Sequence, residues 1–144
     1  MDIKGRIALP KHQRDRLEKD GIRDLVVTVD LDGCLAIYPA ALWDEIESKI
    51  MALPPGNSRY VRLLQRLFVG FATDIELDTA GRMLVPTDLR ERANIDRKVV
   101  LIGQGQKLEL WDERTWDTDS KDWAKMITEA EVGALPPGLA EIHF

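Results

Sequence analysis

Apolar and polar positions change period several times along the chain. Residues 25–30, LVVTVD, and 34–38, CLAIY, are short apolar runs, and the Asp32-Gly33 pair between them predicts a β-hairpin. The pattern returns at 99–103, VVLIG, and 107–111, KLELW, around Gly105-Gln106. Lys11–Asp20 predicts a helix that opens after Pro10 and stops at Gly21. Trp43, Ile46 and Ile50 fall at helical spacing. So do Tyr60, Leu63, Leu64, Leu67, Phe68 and Phe71, an apolar stripe with Arg59, Arg62 and Arg66 on its other side. LPPG breaks the chain at 53–56 and again at 135–138. Asn57 or Ser58 can cap the helix after the first break, and a disordered terminal segment is expected after the second.

The recurrences are systematic. MDIKGRIALP (1–10) and LDTAGRMLVP (77–86) align at a shift of 76 residues, which pairs Asp2 with Asp78, Gly5 with Gly81, Arg6 with Arg82 and Pro10 with Pro86. The same shift pairs Arg14 with Arg90 and Arg16 with Arg92. Further on a shift of 73 serves better, and LAIYPAALW (35–43) meets LELWDERTW (108–116). The chain is therefore two copies of one unit, each reading strand, short helix, strand, strand, helix, with a small deletion in the second.

Composition narrows the function classes. With 44% hydrophobic and 31% charged residues, the chain can bury a core. No apolar run approaches a membrane span, and no signal peptide opens the chain. One cysteine, Cys34, excludes an internal disulfide and fits a reducing cytoplasm. The net charge of −5 argues against nucleic acid until its distribution is seen. Residues 109–144 hold nine acids against three Lys/Arg, whereas 1–108 hold 16 acids against 17 bases. The acidity belongs largely to the tail.

Two readings of the repeated turn compete. In the plain one, Asp caps the turn, Gly supplies a positive φ, and Arg merely adds solubility. In the other, Arg is kept twice because it contacts phosphate or guanine, with Lys4 beside it. The row Arg59, Arg62, Arg66 could track phosphates, though a solvated helix face is the commoner meaning. Asp74, Glu76 and Asp78 alternate as on one strand face, but no further ligand cluster accompanies them, so no metal is expected. Cys34 sits among apolar neighbours, as a small core residue. Trp43 and Trp116 read as core anchors. His12 and His143 pair with no nucleophile by spacing, and Ser48, Ser58 and Ser120 lack an elbow context. No catalytic residues and no cofactor are expected.

DIKGRIALP and DTAGRMLVP, with LLQRLFVGFATDIELD between them and VVLIGQGQKLELWDERTW after, resemble the MraZ family of bacterial transcriptional regulators over about residues 2–125. The resemblance implies an α+β fold in which two AbrB-like swapped-hairpin halves interlock into one small β-barrel, a double-split barrel with flanking helices. The halves would be 1–53 and 74–125, joined by a connecting helix at 54–73 and followed by an acidic tail at 126–144. It also implies a cytoplasmic, nucleoid-associated repressor of its own division and cell-wall gene cluster. Such a protein binds short direct repeats in double-stranded DNA as a ring homo-oligomer, without a membrane. The DNA-contacting residues carried over are Lys4, Gly5, Arg6, Arg82 and Arg14. Two departures accompany the resemblance. Family members carry a short strand before the first motif, which here follows Met1 directly, and the second motif has Thr79-Ala80 where the first has Ile3-Lys4. The rival reading is a protein-binding module of antitoxin type without its own operator. An enzyme is the third class.

Overall fold

The computed structural model describes residues 1–142 apart from Pro55, Asn57 and Val132. The suggested cap at Asn57 and the residue His143 lie outside the described residues. Two compact units emerge, Met1–Glu113 and Arg114–Phe144.

Among the described residues the first unit contains seven strands in two sheets, and the fold is α+β. Strand β1 (Arg6–Ala8) pairs antiparallel with β5 (Arg82–Leu84) as a two-stranded ribbon. The larger sheet contains β2 (Asp24–Val29), β3 (Leu35–Pro39), β4 (Thr73–Glu76), β6 (Val99–Gln104) and β7 (Lys107–Asp112), in the order β4-β2-β3-β7-β6. Every sheet contact between the halves is antiparallel: β1 with β5, β2 with β4, β3 with β7. Among the described residues the two sheets stay separate, and no strand pairing closes them into a barrel.

Why β2 and β3 read as continuous apolar runs is now plain: both faces of the sheet are covered. Leu25, Val27, Val29, Leu35, Ile37 and Leu110 face the ribbon residues Ile7, Leu9, Met83 and Val85 in one core. Val26, Ala36 and Tyr38 point the other way, against Trp43 of α2 (Ala40–Met51). Tyr38 and Trp43 are in ring contact, with centroids 5.5 Å apart. Trp43 is thus the anchor its spacing predicts. Thr28, fully buried on this second face, donates its hydroxyl to the Phe68 carbonyl at 2.7 Å.

Helix α1 (Lys11–Lys19) is nine residues long and its counterpart α4 (Thr87–Arg92) six, so the deletion in the second copy falls within the helix. Both helices are followed by a left-handed residue, Gly21 at φ 66° and Asn94 at φ 52°. The first hairpin differs from its predicted two-residue turn. Asp30 N–H donates to the Cys34 carbonyl at 3.0 Å, Gly33 N–H to the Asp30 carbonyl at 3.2 Å, and Gly33 has φ 89°. That is a three-residue loop with a left-handed bulge, which a Gly at the bulge position favours.

The connecting helix also departs from expectation. Helix α3 (Arg59–Leu64) continues as a π-helical stretch, Gln65–Val69, which widens the turn and shifts the phase of the apolar stripe. Leu67, Phe68 and Phe71 pack on the core clusters, while Tyr60 is 82% exposed and Leu63 is exposed too.

The second unit carries most of α5 (Glu113–Thr128). Trp116, read as a core anchor, is half-buried and meets Trp123 of the same helix edge-on at 5.2 Å. A 3-10 turn, Leu139–Glu141, gives local order to a segment expected to have none.

Candidate nucleic-acid interface

The repeated turn is one geometry built twice. In the first copy Asp2 Oδ1 accepts the backbone N–H groups of Lys4 at 3.0 Å and Arg6 at 2.9 Å, while Asp2 Oδ2 accepts Arg6 Nε at 2.7 Å. In the second, Asp78 Oδ1 accepts from Ala80 and Arg82 N–H, each at 2.9 Å, and Oδ2 accepts Arg82 Nε at 3.0 Å. The Asp2 and Asp78 amides then donate to the Arg6 and Arg82 carbonyls. The aspartates cap the turns as their spacing suggests. The arginines do more than add solubility, because each closes the turn through Nε. Asp78 leaves the row of Asp74 and Glu76 for this purpose, and the three do not gather as a ligand cluster among the described residues.

The electrostatics follow. The Arg6 backbone N–H, joined by its guanidinium, holds the Asp2 carboxyl down at about 2, and the Arg82 amide lowers Asp78 in the same way. Both aspartates are therefore anions across the physiological range.

Arg6 lies opposite Leu84 and Arg82 opposite Ala8. Alternate residues share a strand face, so Arg6, Ala8, Arg82 and Leu84 form the outer face of the ribbon while Ile7 and Met83 are buried on the inner one. The arginines are diagonal neighbours, a relation that separates positions by about 7–8 Å. Each keeps its Nη groups beyond the aspartate clamp, and among the described residues neither Nη pair has a hydrogen-bond partner. Lys4 is exposed at the first turn.

Why the turns need glycine has a cross-copy answer. Gly5 (φ 88°) lies beneath the Arg90 guanidinium, and a Cβ there would be 2.8 Å from Arg90 Cζ. Gly81 (φ 73°) lies beneath the Arg14 stem, and a Cβ would be 2.4 Å from Arg14 Cδ. Each half's helix thus covers the other half's turn. The five candidate residues fall into two groups, Lys4, Gly5 and Arg6 at one turn and Arg82 with Arg14 at the other. Arg90 completes the first group and was not among the candidates, although the 76-residue shift that pairs it with Arg14 pointed to it. Its Nε is buried without a partner, while Nη2 donates to Thr87 Oγ1 at 2.9 Å.

Other candidates stay apart from this face. Arg59, Arg62 and Arg66 are exposed on α3 and its continuation. Cys34 is 1% exposed and donates to Asp30 Oδ2 at 3.4 Å. Burial, reinforced by Glu109 and Asp30, pushes its thiol far above the usual range, so it is not a nucleophile at neutral pH. Buried Glu109 near it is engaged by Trp111 Nε1 at 3.2 Å and Lys107 Nζ at 3.4 Å. Among the described residues, no helix is long and apolar enough to cross a membrane.

Comparison with known proteins places the chain. A family model described as "MraZ protein, putative antitoxin-like" matches residues 1–62 and 68–133. A protein of Thioalkalivibrio sulfidiphilus (strain HL-EbGR7) is 51% identical over 141 residues, 97% of this chain and 93% of its own length. One of Pseudomonas putida (strain W619) is 43% identical over 143 residues, covering 99% and 93%. One of Halorhodospira halophila (strain DSM 244 / SL1) is 45% identical over 132 residues, covering 91% and 86%. All three are named transcriptional regulator MraZ, a role in regulation rather than catalysis. With the family model and these relatives spanning nearly all of it, the chain belongs to the MraZ family.

Proposed function

We propose that the protein is a sequence-specific DNA-binding transcriptional regulator that meets double-stranded DNA with its basic turns and the outer face of the β1–β5 ribbon. The observation that carries this reading is the duplicated clamp. An aspartate holds Nε of Arg6 and of Arg82, leaving two preoriented Nη forks on one face. Little side-chain entropy is then left to lose on binding. A two-stranded ribbon fits a major groove about 12 Å wide, and an arginine fork matches the guanine O6/N7 edge. Lys4 and Arg14 add phosphate contacts, and Gly5 lets the backbone pass under Arg90.

The finer parts of the proposal are these. The regulator is a cytoplasmic, nucleoid-associated repressor of its own division and cell-wall gene cluster, and it binds short direct repeats as a ring of identical subunits. Net charge supports the ring: at −5 and with few cations per turn, one subunit binds weakly. Repeating that contact raises effective affinity on the order of 10²–10⁴-fold. We also propose residues 1–53 and 74–125 as the halves of a double-split barrel, joined by 54–73 and followed by the tail 126–144. Cross-pairing of the halves in both sheets supports this. The family description's likeness to antitoxins favours a second reading, a protein-binding module without its own operator.

The test is mobility shift on the chain's own upstream DNA and on scrambled DNA. Arg6→Lys keeps the charge at the clamp and removes the planar fork, so specific binding should fall by about 1–3 kcal/mol per subunit. Arg6→Ala should abolish specific binding, with circular dichroism as the folding control because the clamp also opens. If folded protein of both variants binds the operator as tightly as the parent, the mechanism is wrong. If the parent itself shows no preference for its upstream DNA, the antitoxin-type reading takes over.

A further inference from the structure

The outer face of the β1–β5 ribbon carries one large apolar side chain beside its two arginines. Leu84 is 54% exposed and lies directly opposite Arg6. A single exposed leucine is ordinary on a protein surface, so its position is what counts. The internal repeat supplies the control. The 76-residue shift that pairs Arg6 with Arg82 also pairs Ala8 with Leu84. Ala8 is exposed too and lies opposite Arg82 in the same register, so the ribbon forms without bulk at this place.

The register brings Leu84 close to Arg6. Val85 N–H donates to the Gly5 carbonyl at 3.0 Å, and Leu9 N–H to the Gly81 carbonyl at 3.1 Å. Hydrogen-bonded and non-hydrogen-bonded pairs alternate along an antiparallel ladder. Gly5–Val85, Ile7–Met83 and Leu9–Gly81 are therefore the bonded positions, and Arg6–Leu84 and Ala8–Arg82 the others. At non-bonded positions opposed side chains stand closest, with Cβ atoms about 4.5–5.5 Å apart. Leu84 thus stands beside the Arg6 stem, whose Nε is fixed by Asp2 Oδ2 at 2.7 Å.

Successive base pairs are about 3.4 Å apart along each strand of DNA. With the Arg6 fork on a guanine edge, a side chain about 5 Å to one side meets the adjoining base pair. Leucine offers neither donor nor acceptor. Thymine alone presents a methyl group in the major groove, whereas a leucine against any other edge desolvates a polar group without replacing its partner.

We infer, on the DNA reading proposed above, that Leu84 is a specificity-determining residue that packs on the C5 methyl of a thymine adjoining the guanine read by Arg6. The two arginines then read unlike steps. Arg6 with Leu84 selects a guanine next to a thymine, while Arg82 with the short Ala8 selects a guanine and constrains its neighbour less.

The experiment measures binding of the full chain to its own upstream DNA by fluorescence anisotropy, with thymine or with uracil throughout. The two DNAs differ only in the C5 methyl. The parent should bind uracil DNA about three- to fivefold more weakly per subunit engaged, the worth of one buried methyl. Leu84→Ala should lose about the same factor on thymine DNA and nothing further on uracil DNA. Removing an exposed side chain leaves no cavity, and circular dichroism checks the fold. Leu84→Met keeps an apolar reach and should keep the methyl dependence. Single uracil substitutions should confine the loss to base pairs adjoining a guanine. A parent indifferent to the methyl would overturn the inference. So would a Leu84→Ala protein that keeps the parent's methyl dependence, since Leu84 would then only support the arginine stem. In both cases preference for upstream over scrambled DNA persists and the DNA reading stands. If the parent lacks that preference, the DNA reading falls and this inference with it.

Discussion

The turn at Asp2–Arg6 and the turn at Asp78–Arg82 share every hydrogen bond and differ in what surrounds them. Each has an aspartate on two amides and on Nε of its arginine, at distances within a few tenths of an ångström of each other. Around them the differences are three. The second turn is preceded by β4, whereas Met1, ahead of the first, packs on the core and donates its amino group to the Arg97 carbonyl. The first has Lys4 where the second has Ala80. Gly5 is covered by the flexible end of Arg90 and Gly81 by the stem of Arg14. Because the clamp survives all three changes, it belongs to the fold. What varies, the cations and the covering side chains, is where the halves can differ in function.

The largest effect should come from the covered glycines. Gly81→Ala forces a left-handed residue and a clash with Arg14 Cδ, which a side chain anchored on α1 relieves only by moving its stem. We expect a loss of about 2–4 kcal/mol in urea unfolding. Gly5→Ala meets only the movable Arg90 guanidinium and should cost about 1–2 kcal/mol, essentially the backbone term. Arg14→Ala should restore part of the stability of Gly81→Ala and none of that of Gly5→Ala. If the rescue works equally in both backgrounds, the crossed covering of the turns is wrong.

The next effect is a pH response. A carboxyl whose folded pKa is depressed stabilises the fold above its ordinary pKa and ceases to do so as pH falls through the folded value. For Asp2 the window runs from about 3.8 down to about 2. Asp78 is depressed too, first through the Arg82 backbone N–H and then through its guanidinium, so its clamp also holds above the ordinary carboxyl pKa and releases as pH falls below it. Carboxyl titration by NMR should show both Asp2 and Asp78 protonating below the ordinary carboxyl range. Two ordinary carboxyl titrations would remove the clamp as a feature of the folded state.

How legible this was depends on the range of the contact. Turn, hairpin and helix signals are local, and the duplicated motif exposed the two-copy organisation, the α+β class and the Trp43 anchor. The clamp is also local, five residues long, yet the arginine's part in it is not legible because Asp and Gly already account for a turn by themselves. The covering of Gly5 by Arg90 and of Gly81 by Arg14 joins residues far apart in sequence, and only the folded chain brings them together. Tyr60 fell out of its stripe because helical spacing presumes a constant turn, which the π-helical stretch at Gln65–Val69 breaks. The order β4-β2-β3-β7-β6 was not written in any periodicity, since period fixes which face a residue takes and not which strand lies beside it.

The smallest expected effect sharpens the comparison most, because it alters charge without altering the turn. Lys4 and Ala80 occupy the same place, each donating its backbone N–H to the capping aspartate, at 3.0 and 2.9 Å. Lys4 is exposed, so Lys4→Ala leaves no cavity and should leave the urea midpoint unchanged. If Lys4 contacts phosphate, its removal weakens operator and scrambled DNA alike and reduces the slope of log K against log salt by about 0.9 per turn engaged. Ala80→Lys is the converse. It places a cation on a turn whose geometry already matches, so the slope should steepen by about the same amount if the second turn also lies on the backbone. A protein carrying both changes should then return to the parent slope. Should Ala80→Lys leave the salt dependence untouched while Lys4→Ala reduces it, the two turns are not equivalent on DNA, and the second arginine serves the fold alone.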